Sequence, residues 1–369
     1  MRLRLLVGLL LCYFVSARYT SSVASEGGYV CAGNGFYVAG NQLGQFPEHG
    51  WHIPGQMSGV WMQPIKLLDS YSIKTYVKRN GVFTGMQWQA ADQFEQFPFS
   101  SRFVFENGDC KLTRSETVID QLGLSVQFQF NLSTEIEESY SLIQLEPNLR
   151  GAWLSEDHGE VDDQDVCSWK EKHQIFTCRD RTENRFLVLG LQTTQHSVPY
   201  SFSDSKISID SDVPQALRAI LDKEQEASGS NANKKVLLLL VPGGTINLYI
   251  TGSTISKRDA IDKFLALQSQ SGKRTEEKQK SYDELAVRVS VTVPDESLQL
   301  MYDWGKYNIA WLYNSIDELG SGLDVSVLLS SVFIVIGIFG GLPEYPMFFG
   351  CDTTYSVEGM LAIGMYEGK

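Results

Sequence analysis

The chain has 369 residues, 43% apolar and 20% charged, the balance of an ordinary folded protein with room for two domains. Its formal net charge is −13. A polyanion is repelled by phosphate backbones, which argues against nucleic acid as a partner; neutral ligands meet no such barrier.

The N-terminus reads Met1-Arg2-Leu3-Arg4, then a largely apolar run, Leu5–Val15, then small residues at Val15-Ser16-Ala17 and Ser22-Val23-Ala24. A basic start, a short apolar stretch and a small-residue exit describe a secretory signal peptide over residues 1–24, and so a secreted protein. The competing readings are a buried N-terminal helix and a short anchor. The run is short of the roughly 20 residues that span a bilayer.

From 28 to 250 the texture is β-rich and predicts a β-sandwich. Ser125–Asn131 alternates polar and apolar residues. Further strands are predicted at Tyr29–Val38, Gly59–Met62, Val82–Trp88, Phe103–Phe105, Ile175–Cys178, Phe186–Leu191, Val236–Val241 and Ile246–Ile250. Asn80-Gly81, Asn107-Gly108 and Pro242-Gly243-Gly244 mark turns. Asn131-Leu132-Ser133 is an acceptor sequence for glycosylation, consistent with export. Ser155–Asp165 is acidic but lacks the ligand spacing of a calcium loop, so it reads as a solvated loop. Glu224–Lys235 reads as an exposed linker.

Removal of Cys12 with the signal would leave Cys31, Cys110, Cys167, Cys178 and Cys351. Cys167 and Cys178 flank a segment of hairpin length and are the favoured disulfide of an exported chain. The five histidines are scattered, and no spacing suits a metal or a cofactor, so none is expected.

After Thr254 the pattern turns helical. Residues 255–293 read as a helical linker, with Ser256 capping a helix from Lys257 that carries Ile261, Phe264, Leu265 and Leu267. Pro294-Asp295 opens a second helix with two apolar stripes, Leu298/Met301/Tyr302/Ile309/Leu312 and Leu300/Trp304/Tyr307/Trp311.

Two segments are more specific than any of these patterns. Residues 293–312 read Val-Pro-Asp-Glu-Ser-Leu-Gln-Leu-Met-Tyr-Asp-Trp-Gly-Lys-Tyr-Asn-Ile-Ala-Trp-Leu, and residues 340–364 contain Gly-Gly-Leu-Pro-Glu-Tyr-Pro-Met-Phe-Phe-Gly-Cys-Asp-Thr-Thr-Tyr. Together they resemble the start of the catalytic domain of six-hairpin glycoside hydrolases of the glycogen-debranching (amylo-α-1,6-glucosidase) and glucoamylase-like type. The resemblance implies an N-terminal sandwich followed by an (α/α)6 barrel, whose N-terminal part would be residues 294–369 as consecutive helices joined by an aromatic loop. It also implies an oligosaccharide or polysaccharide substrate and exo-acting hydrolysis of α-glucosidic bonds. Asp352, matching the family's clamp on the terminal sugar, would accept hydrogen bonds from sugar hydroxyls. Tyr345, Phe348, Phe349 and Trp304 would supply flat apolar faces. Capping of the following helix is the plainer role for Asp352, and packing is the plainer role for Trp304, Lys306, Asn308 and Trp311. Glu344 and Glu358 do not match the family's catalytic carboxylates, which are expected beyond residue 369, so no catalytic residue is assigned.

The chain departs from that pattern in three ways. Met347 replaces a usual aromatic. Residues 324–340 are an almost unbroken apolar insert, explained most simply as a mis-joined gene segment, next as a buried helix, and last as a membrane span over Val325–Leu342. Only 76 residues follow from Pro294, against roughly 200 for twelve helices with short connections. The alternatives are a non-catalytic secreted sandwich that binds glycans and a membrane-anchored surface protein.

Overall fold

The computed structural model describes residues 18–21, 23–50, 55–151, 165–170, 172–193, 214–227, 236–317, 334–342, 345–348 and 358–365. Most of the expected signal segment, the acidic stretch 155–164, residues 228–235 of the expected linker, residues 324–333 of the expected insert, and Phe349 and Asp352 lie outside the described residues.

In chain order the strands are β1 (Tyr19–Ser21), β2 (Gly28–Gly33), β3 (Phe36–Asn41), β4 (Gly59–Met62), β5 (Ile65–Arg79), β6 (Val82–Gln87), β7 (Gln93–Phe97) and β8 (Ser100–Asn107). They continue as β9 (Cys110–Ile119), β10 (Gly123–Asn131), β11 (Glu138–Gly151), β12 (Val166–Lys170), β13 (Ile175–Arg179) and β14 (Phe186–Thr193). Helix α1 (Gln215–Ala227) precedes β15 (Leu237–Pro242) and β16 (Ile246–Ser253). Then come α2 (Lys257–Val287), α3 (Glu296–Leu312), β17 (Tyr313–Asp317), β18 (Ile334–Gly341) and β19 (Tyr345–Phe348).

Two antiparallel sheets make the sandwich. One runs β1-β7-β8-β9-β10-β16-β14-β13-β12 and the other β15-β11-β5-β4-β3-β2, with β6 also on β5. Inward side chains from both form one core, among them Val38, Val60, Leu68, Phe103, Val126, Phe128, Ile143 and Leu189. Period-two alternation generates it: on β10, Leu124, Val126 and Phe128 are buried while Gln129 and Asn131 face water. Asn80 and Gly81, both at positive φ (50° and 78°), close the β5–β6 hairpin, the geometry its right-handed twist favours. The stretch expected as one strand over Tyr29–Val38 is instead the hairpin β2–β3, broken at Asn34-Gly35, where Gly35 sits at φ 81°. Glu224–Ala227 are the end of α1 rather than linker.

Ser256 does cap α2, its hydroxyl accepting from Asp259 N at 3.1 Å. The helix then runs unbroken for 31 residues, roughly 46 Å. Its first half lays Ala260, Phe264 and Leu267 against Ile119, Val188 and Tyr249 on the outer face of the larger sheet. It then passes the sandwich rim. There Lys278 donates to Ala32 O (3.0 Å) and Val118 O (2.8 Å), one carbonyl from each sheet. Its last turns bring Tyr282 and Leu285 to the outer face of the smaller sheet, where α3 docks.

Beyond Leu312 the expectation of consecutive helices fails. The chain passes from α3 into the three-stranded antiparallel sheet β17-β18-β19. The reason is legible in β18: Ile334-Val335-Ile336 are β-branched and favour a pleated backbone over a helix. The same finding removes a helical span or a buried helix from Ile334–Gly341, and no helix among the described residues is long and apolar enough to cross a membrane.

Candidate functional site

The predicted sugar site centres on α3 and the segment after it. Asp295 caps α3, its carboxylate accepting from Leu298 N at 2.9 Å. From α3, Tyr307 and Trp311 reach into a cluster with Tyr37 and Trp61 of the smaller sheet, Met57 just before β4, and Tyr282 and Leu285 of α2. Tyr37 and Trp61 stack with centroids 5.8 Å apart and planes 6° apart. Trp311 Nε1 donates to Pro98 O at 2.8 Å, tying α3 to the β7–β8 turn. Asn314 accepts from Gly35 N at 2.7 Å. The start of the C-terminal segment is thus fixed to both sheets.

Trp304 sits beside this cluster, edge-on to Tyr307 (5.6 Å) and Trp311 (5.7 Å). Its indole N–H is buried and has no hydrogen-bond partner among the described residues. Lys306 does not reach outward. Its Nζ donates to Ala286 O (3.0 Å) and Arg288 O (2.8 Å), the carbonyls left open where α2 ends. Burial lowers its pKa, with Asp303 pulling the other way.

Of the second motif, Gly341 pairs with Tyr345 across the β18–β19 hairpin and Phe339 with Phe348. Tyr345 and Phe348 therefore lie on one strand, while Phe349 and Asp352 fall outside the described residues. Residues 358–362 are helical, with Met360 and Ile363 buried; a Cβ on Gly359 would lie 3.5 Å from Ile309 Cδ1 of α3. The far end of the motif is thus brought back to the helix that carries Trp304.

Sequence reasoning missed the charged groups inside the sandwich. Glu116, fully buried on β9, accepts from Tyr29 Oη at 2.8 Å and from Tyr71 Oη, and pairs with Arg114 Nε at 3.0 Å. Arg114 also donates to Gly44 O at 2.8 Å and lies 4.2 Å from the Phe103 ring centroid. Burial, then the Glu116 charge, push both tyrosines well above their usual pKa. The neighbouring Cys31 thiol is pushed up to about 11, chiefly by burial. Buried between the two sheets, this group serves the fold. The signal for it was the in-phase run Leu112, Arg114, Glu116, Val118. On the smaller sheet, Lys66 and Arg150 both donate to Gln56 O (2.8 and 2.9 Å) and flank the Trp61 ring.

An open cleft at the end of β11 is lined by Glu137, Glu138, Tyr140 and Gly243. Its carboxylates are engaged: Lys78 pairs with both (3.9 and 3.5 Å), and Tyr140 Oη donates to Glu138 at 2.8 Å. No cluster of His, Cys, Asp or Glu suited to a metal occurs among the described residues.

No family model matches this chain, and no curated protein matches it by sequence. Solved structures are similar at a low level. A putative kojibiose phosphorylase from human microbiome gives a TM-score of 0.47 and 10% identity over 82% of this chain and 42% of that one. A family GH92 α-mannosidase from Bacteroides thetaiotaomicron gives 0.35 and 8% over 89% and 44%. The same mannosidase with mannoimidazole gives 0.35 and 8% over 89% and 43%. The chain spans less than half the length of these structures. All are carbohydrate-active proteins, but likenesses this slight assign no residue and no activity here.

Proposed function

We propose that this chain is the sandwich and first helical part of a carbohydrate-processing enzyme of the six-hairpin glycosidase type, exo-acting on α-glucosidic bonds in the complete parent and inactive alone. The observation that carries the reading is the pair of motifs at 293–312 and 340–364, placed after a β-sandwich and a helical linker. Asp352 is the residue assigned to sugar contact, beside Tyr345, Phe348, Phe349 and Trp304. Its part is to accept hydrogen bonds from hydroxyls of the terminal sugar. Inverting hydrolysis needs a carboxylic acid and a carboxylate about 6.5–9.5 Å apart across the sugar. Neither role falls to a motif residue of this chain.

Calorimetric titration of the purified chain with maltooligosaccharide and isomaltose tests the proposal. Wild type should bind without turnover, and Asp352→Asn should weaken binding about tenfold, the loss of roughly 1.5 kcal/mol from a charge-assisted hydrogen bond. A folded chain that binds neither sugar refutes the sugar site. Turnover above a mock preparation refutes inactivity.

The strands β17–β19, standing where barrel helices were expected, favour a second reading: a sandwich that holds glycans without cleaving them. Under it, binding survives Asp352→Asn unchanged.

A further inference from the structure

We propose that Asn131 is a site of N-linked glycosylation. The inference rests on the secretory reading of the N-terminus, itself a proposal, and on the position of the acceptor in the fold. Asn131-Leu132-Ser133 is the single Asn-x-Ser/Thr sequence in the chain, and its middle residue is not proline.

The fold leaves this asparagine free to carry a glycan. It is the last residue of β10 and is exposed. Phe128 is the last β10 residue paired with β16, so at Asn131 the strand has β9 alone beside it, through Lys111. The inward positions of β10 are Leu124, Val126 and Phe128. Asn131 belongs to the opposite set, on the face turned away from the core. Helix α2 covers that face at the other end of the strand, where Leu267 approaches Gly123. Eight residues of extended chain, about 26 Å, separate Gly123 from Asn131. An oligosaccharide there projects into solvent and meets neither the core nor α2. The residues that follow hold the turn in place. Ser133 donates to the Asp109 carboxylate and accepts from Glu135 N at 3.4 Å.

The disulfide Cys167–Cys178, joining register partners of β12 and β13, is a second feature expected of a chain that matures in an oxidising compartment. In the reaction Asn131 Nδ2 forms a bond to C1 of an oligosaccharide carried on a lipid pyrophosphate. The C1–O bond to pyrophosphate breaks, the lipid pyrophosphate leaves with the electron pair, and one amide proton passes to solvent.

The test is cell-free translation of the full chain with microsomes, once with its own N-terminus and once behind an added leader of proven function. Protease-protected product from the added-leader arm should carry one glycan on most molecules. Peptide N-glycosidase should remove it and leave aspartate at position 131, tagged in heavy-oxygen water. Asn131→Gln should abolish the modification, and Ser133→Thr should retain it. Imported, protease-protected wild type without a glycan overturns the proposal, as does a glycan that persists in Asn131→Gln. If only the added-leader arm is modified, the site stands and the native leader assignment falls. None of these outcomes depends on sugar binding at Asp352.

Discussion

Replacing Glu116 with leucine tests whether the buried charges are integral to the sandwich. The substitution leaves Arg114, 5% exposed at its side chain, without the carboxylate at 3.0 Å, and removes the acceptor of Tyr29 and Tyr71. An uncompensated buried charge costs about 3–5 kcal/mol, and each orphaned buried hydroxyl about 1–3. These losses overlap, because relaxation around the cavity serves all three groups. A total of at least ~4 kcal/mol follows, a large share of the 5–15 typical of a folded domain. The assay is urea unfolding followed by tryptophan fluorescence, in which a slope near ~3 kcal/mol/M converts that loss into a midpoint lower by more than about 1 M. Arg114→Met in the Glu116→Leu background should recover much of it, since an apolar pair of similar volume tolerates burial. The cycle should therefore show coupling of roughly 3 kcal/mol. A single variant within about 1 kcal/mol of wild type, or additive effects, would refute the reasoning.

Three smaller perturbations follow from the same contacts. Lys306→Met strips two carbonyls at the end of α2 of their donor and should cost about 1–3 kcal/mol, read as a lower thermal midpoint with helix content retained. Loss of the Cys167–Cys178 bond in a double serine variant frees a loop of sequence separation 11 and should cost up to about 3 kcal/mol in the chain-entropy account; equal denaturant midpoints for the two proteins would count against it. Asp109 is held down to about 2 from 3.8, first by the Ser133 hydroxyl and then by Arg79. Its folded pKa lies below the unfolded one, so its contribution is complete above pH 3.8 and is lost as pH falls through about 2. Carboxyl NMR should show that midpoint, and Asp109→Asn should remove this acid-side component.

The strands that alternate cleanly were readable. β10 falls close to where its residues predicted it, because Leu124, Val126 and Phe128 alternate with polar neighbours. The longest strands, β5 and β11, were not. Lys66, Asp69, Ser70 and Lys74 dilute the pattern of β5, and register shifts at Pro147 interrupt its pairing with β11. β9 hid its inward face by burying Arg114 and Glu116. The cap Ser256 was legible because capping is local chemistry, whereas Asp295 was read only as the start of a helix and its carboxylate on Leu298 N is seen in the structure. The continuity of α2 was not legible. The reading of 255–293 as a helical linker did not give one helix over Lys257–Val287, in which Lys278 of the charged stretch reaches the two sheets at their rim. Of the site, α3 and Trp304 could be placed from sequence, whereas the docking of Tyr307 and Trp311 onto Tyr37 and Trp61 depends on a face formed by residues far away in the chain.

The strands after α3 narrow what the second motif can do. Were Gly340–Phe348 a loop opening directly into a helix, Tyr345 and Phe348 would be held by the helix N-terminus. Instead both belong to β19, hydrogen-bonded to β18, and β18 is anchored through β17 to the end of α3. The helical residues 358–362 return to α3 at Ile309. The described residues on either side of Asp352, Phe348 and Glu358, thus both belong to elements that lead back to α3. Helix α3 is itself fixed to the sandwich by Trp311 and Asn314. A sugar site there would depend on the sandwich for its position. Trp311→Ala, which severs the bond to Pro98 and removes a ring from the docking cluster, should weaken sugar binding although that ring lies in the cluster between helix and sheet. If Trp311→Ala loosens α3 while sugar affinity stays at the wild-type value, the sandwich is not the support of the site, and the binding residues must be sought elsewhere on the chain.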